Sequence, residues 1–162
     1  MMTRCLSFVC CSMLLATPAF AQSTGAGAAD TSTVVALRRS FAEVSGFITK
    51  SADMVPADKY SYRPTPSVMT FAQVIAHVAD SYYFYCARVA GRPAQDDDAT
   101  ARGPLDKATL VAKLKQATDV CTAAYAGNPV VRPALTNIGH TNLHYGNIIT
   151  YLRMLGMTPP SS

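Results

Sequence analysis

The chain has 162 residues, 49% of them hydrophobic and 15% charged, and a formal net charge of +4. That length and apolar share suit one domain with a sizeable core. The basic excess is small and dispersed, with no Lys/Arg run and no interleaving of basic and aromatic residues, so no nucleic-acid partner is expected.

Residues 1–21 read as a cleaved signal peptide that takes no part in the fold. Arg4 supplies a positive charge, Cys5 to Leu15 is an almost unbroken apolar run, and Ala19, Phe20 and Ala21 form an A-x-A cleavage site. The run is too short for a permanent membrane anchor. Val9 precedes Cys10 where lipid attachment asks for a small residue, so export with cleavage after Ala21 is expected, to a bacterial periplasm or the exterior. Cleavage leaves about 140 residues, and of the five cysteines only Cys86 and Cys121 remain.

Residues 22–31, rich in Gly, Ala and Ser, read as a flexible tether. A first helix is expected from about Thr31 to Ala52, with Val34, Leu37, Phe41, Val44 and Ile48 as its apolar stripe. Pro56, Pro64 and Pro66 hold the next segment extended. A second helix follows from Ser67 or Thr70 to Ala90, with Phe71, Val74, Val78, Tyr82 and Tyr85 on one face and His77 at its edge; Gly91 and Pro93 stop it. Gly91 to Leu105 reads as a solvated loop. Its Asp96, Asp97 and Asp98 lack the alternating ligands and glycine of an EF-hand.

Asp106 caps a third helix carrying Leu110, Leu114, Ala117, Cys121 and Tyr125 to about Gly127. After a proline-bearing turn over residues 128–133, a fourth helix is expected from near Asn137 to Leu155, with Gly156 as the residue that ends it. No strand, repeat or phosphate-binding glycine loop is visible.

His77, His140 and His144 are the only histidines. His140 and His144 stand four apart, so on a helix both imidazoles leave one face about 6 Å from each other. Such a pair reads either as a solvated surface pair, the commoner case for this spacing alone, or as two metal ligands. His77, at the margin of the bundle interior, needs a partner there. Three neutral imidazoles suit one divalent transition metal (zinc, nickel or iron) and leave positions open for water or substrate.

Residues 140–160, running from His140 through His144 and Arg153 to Pro159 and Pro160, resemble the last helix of the DinB-like family of metal-binding four-helix bundles. Lys59 to Pro66 and Thr70 to His77 are similar to that family's entry into its second helix. The resemblance covers about residues 32–160 and implies an all-α four-helix bundle with His77, His140 and His144 as the metal ligands. Thr141 and Leu143 stand where many relatives carry acidic residues. The family arrangement also implies helices two and three running parallel (up-down-down-up). The connection from Gly91 to Leu105 can span about 45 Å, more than the roughly 30 Å of a twenty-residue helix, so it can serve as the crossover. Cys86 and Cys121 then come level, and in an oxidising compartment they are expected to form a disulfide.

His140 is not followed by the glutamate of zincin proteases, and no Gly-x-Ser-x-Gly elbow occurs, so those hydrolase types are excluded. The family implies a metal-dependent hydrolase or a thiol transferase. An exported protein does not normally meet the cytosolic thiol pool, which favours hydrolysis; a non-catalytic, stress-related metal-binding module is the alternative. Asp80, one turn after His77, reads either as a partner that orients it or as a solvated carboxylate, and Tyr145 as a pocket wall or as core. The expected partners are a small-molecule substrate and, at most, a second copy of the chain as a homodimer.

Overall fold

The computed structural model describes residues 31–94 and 98–162. The expected signal peptide and residues 22–30 of the expected tether lie outside them, as do Gln95, Asp96 and Asp97; Thr31 already belongs to a helix. Four helices form: α1 (Thr31–Met54), α2 (Phe71–Val89), α3 (Lys107–Ala126) and α4 (Val131–Met154), with one 3₁₀ turn at Ala57–Lys59. There is no strand among the described residues.

The stripes read from the sequence form the core. Val34, Leu37, Phe41, Val44 and Ile48 of α1 are buried, as are Leu110, Leu114, Ala117, Cys121 and Tyr125 of α3. Local signals set the helix ends. Thr70 and Gln73 close a capping box at the start of α2: Gln73 N–H donates to Thr70 Oγ1 and Thr70 N–H to Gln73 Oε1. Asp106 accepts from Thr109 N–H at the start of α3. At the end of α4, Gly156 adopts φ +75°. Its N–H reaches Arg153 O while Met157 N–H reaches Leu152 O, the pair of bonds that makes a Schellman stop.

The start of α4 departs from the expectation. The helix begins at Val131, six residues before Asn137, and takes Pro133 into its first turn. A proline costs little there, because the first N–H groups of a helix have no intrahelical acceptor to lose. His140 and His144 consequently sit in the third and fourth turns, in the rigid middle of α4 rather than in its first two turns.

Bonds at both ends of the bundle define the topology. Arg38, early in α1, donates to the carbonyls of Tyr125, Ala126 and Gly127 at the end of α3. Lys107, at the start of α3, reaches the carbonyls of Asp53 and Val55 at the end of α1. These helices are therefore antiparallel. So are α2 and α4, tied at one end by Val130 N–H to Val89 O and at the other by the Tyr151 hydroxyl on Met69 O. Cys86 and Cys121, each near the C-terminal end of its helix, are joined by a disulfide, so α2 and α3 run parallel. Each of α1 and α2 packs along both α3 and α4. The order is up-down-down-up, and the connection from α2 to α3 leads from one end of the bundle to the other.

Asp80 holds this crossover. Its two carboxylate oxygens accept the N–H groups of Thr100 and Ala101, each at 2.9 Å. Replacing Asp80 by Ala is expected to cost about 2 kcal/mol, since bonds to a charged acceptor contribute more than neutral ones. Faster hydrogen exchange at amides 100 and 101, with the rest of the bundle unchanged, checks the assignment; unchanged exchange there refutes it.

Candidate metal centre

Antiparallel α2 and α4 bring the three histidines together. His77 comes from the third position of the second turn of α2, and His140 and His144 from one face of α4. The ring centroids stand 5.3 Å apart for His77 and His140, 4.6 Å for His77 and His144, and 4.4 Å for His140 and His144. One nitrogen from each ring lies within 4.8 Å of the others, and no carboxylate or thiol joins this group among the described residues. All three side chains are half-buried.

The donor set fits a metal ion. Nε2 of His140 and Nε2 of His144 are 3.2 Å apart. Metal–nitrogen bonds of about 2.1 Å place neighbouring ligand atoms about 3.0–3.4 Å apart, for angles between a right angle and the tetrahedral value. Burial pushes the His144 imidazole down to about 4, helped by the nearby His140 and then His77. Burial, and then His77, also lowers His140. Nδ1 of His144 is buried without a hydrogen-bond partner. Burial thus favours neutral His140 and His144, the form that binds metal.

This has a sign that can be measured on metal-free protein. Between about pH 4 and 6.5 the unfolded His144 takes up a proton that the folded ring resists. The unfolded state then binds more protons, so stability falls as pH drops through that window and recovers as it rises. Denaturant titrations across it are expected to show the slope, reduced in His144→Gln; an unchanged slope in that variant removes His144 as its source.

The other expected residues lie elsewhere. The Asp80 carboxylate is spent on the crossover and makes no bond to His77. Tyr145 is core: its ring stacks on Phe47 with centroids 5.2 Å apart, and its hydroxyl donates to Ser161 Oγ. Thr141 is fully buried, and its hydroxyl donates to Asn137 O. Leu143 is 65% exposed. Two neighbours of the triad were missed. Ser81 Oγ lies 3.4 Å from His77 Nε2, and the Tyr85 ring stands 5.1 Å from His140. Both follow His77 at four-residue steps on one face of α2, and that spacing could have found them.

An up-down-down-up helical bundle with three imidazoles on two facing helices defines a candidate metal-binding bundle protein. The DinB superfamily model matches residues 47–159, a span that holds all three histidines, and the chain belongs to that family. No curated protein sequence matches the chain.

Proposed function

We propose that the protein is an exported, metal-dependent hydrolase that acts on a small molecule at the three-histidine centre. The observation that supports this most is the convergence of three imidazole nitrogen donors, with no carboxylate of the described residues among them, beside a cavity that His144 helps to line. A divalent ion held by His77, His140 and His144 would supply Lewis acidity to polarise a carbonyl and to lower the pKa of water. The chain's own part is to hold the three rings on rigid mid-helix positions, to keep His140 and His144 neutral by burial, and to place Ser81 beside His77. The buried disulfide supports an oxidising compartment, and no described helix is long and apolar enough to cross a membrane.

A non-catalytic metal-binding module is favoured by one observation: among the described residues no Asp or Glu stands in the cluster to act as general base. Thiol transfer, which the family also implies, has no such support from the site. Metal-loaded, chelator-stripped and His140→Ala proteins compared on generic aryl esters and amides decide between catalysis and binding. Turnover confined to the loaded, unaltered protein supports hydrolysis. Stoichiometric metal without turnover leaves the binding module.

A further inference from the structure

A cavity of about 490 Å³ opens against His144, between α4 and the loop leading into α2. Val74 on α2 and Asn147 on α4 each lie about one turn from the histidine of their own helix, so the cavity begins where the triad ends. Its wall also includes Ser67, Val68 and Met69 of the loop with Thr150 and Tyr151 of α4. No Asp, Glu, Lys or Arg among the described residues lines it. The Tyr151 hydroxyl donates to Met69 O and fixes the loop wall to α4. Val68 and Met69 nevertheless remain 41% and 45% exposed, apolar surface at the rim of a preformed hollow.

We propose that this cavity receives the body of the ligand bound at the metal centre, and that this ligand is a small carboxylate-type monoanion with an uncharged, largely apolar chain. The inference rests on the metal reading. Three neutral imidazoles leave both charges of a divalent ion uncompensated, which selects an anionic head. A second charge on the chain would lose solvation among Val68, Met69 and Val74 with no counter-charge to replace it. The Asn147 amide and the Thr150 hydroxyl can satisfy one or two neutral polar atoms along the way. For a hydrolase, this describes the acid half of a carboxylic ester or amide.

Hydroxamates are suitable probes, because they present a carboxylate-like head and can be read on the cobalt(II)-loaded full-length protein by calorimetry and by visible absorption. Hexanohydroxamate is expected to bind about tenfold more tightly than acetohydroxamate, since each fully buried methylene contributes about fourfold and an open cavity buries its four extra ones only in part. The 6-amino derivative of hexanohydroxamate is expected to lose that gain. Thr150→Arg, at an exposed helix position, is expected to lose it too, with cobalt content unchanged. Equal affinity for the two alkyl probes, or undiminished affinity for the amino derivative, overturns the cavity assignment and leaves the metal centre standing. Failure of the unaltered protein to take up cobalt overturns both.

Discussion

The His144→Ala protein is expected to hold only a small fraction of the metal that the unaltered chain binds, which is about one ion per chain for a single three-ligand site. Its ring supplies one of three donors, and its Nε2 stands 3.2 Å from that of His140, so no other side chain in the cluster can replace it. The stability change should track the metal. With metal a thousandfold above its dissociation constant, binding to the folded state adds about 4 kcal/mol, and the variant should forfeit most of that. Without metal the same substitution should cost only about 1 kcal/mol, because the ring is half-buried and its Nδ1 makes no hydrogen bond. Elemental analysis with parallel melting curves reads both quantities. A full complement of metal in His144→Ala removes the triad assignment.

Removing the disulfide is expected to have a comparable effect on the fold. Cys86 and Cys121 are fully buried, and the bridge closes a loop with a sequence separation of 35. In the chain-entropy account, a loop of that size contributes about 4 kcal/mol by restricting the unfolded chain. The Cys86→Ala/Cys121→Ala protein should therefore melt about 15 °C lower, given the size of the domain. It also loses a bond to Asn137, whose Nδ2 donates to Cys86 Sγ at 3.4 Å and to the Tyr125 hydroxyl at 3.2 Å. Thiol titration of denatured, unreduced protein is the direct check: no free thiol is expected from Cys86 and Cys121 before reduction and two after it. Two free thiols before reduction would remove the bridge.

Much of this was legible in the sequence, because local physics governs it. The 3.6-residue spacing of Val34, Leu37, Phe41, Val44 and Ile48 marks a helix face whatever that face later meets. Asp106 and Gly156 bound helices through bonds to their own neighbours, so those boundaries needed no knowledge of the fold. The start of α2, which the sequence alone leaves between Ser67 and Thr70, is fixed by the capping box of Thr70 and Gln73. The pairing of His140 with His144 is likewise set by helical geometry alone. The start of α4 was misplaced because Pro133 is a breaker in a helix interior but is tolerated in a first turn, and sequence spacing does not say which of these it occupies.

What tertiary structure alone decided concerns partners distant in the chain. His77 lies 63 positions before His140, and only the antiparallel packing of α2 on α4 brings their rings to 5.3 Å. Asp80 could have turned toward His77; the crossover captured it with two backbone N–H groups that otherwise lacked a partner, because buried donors must be satisfied. Tyr145 follows His144 directly, yet one residue turns a helix by about 100°, which points the two side chains to different neighbours. His144 faces α2 and the triad, whereas Tyr145 stacks on Phe47 of α1. Helical periodicity says which residues share a face; the packing of one helix on another determines what that face meets.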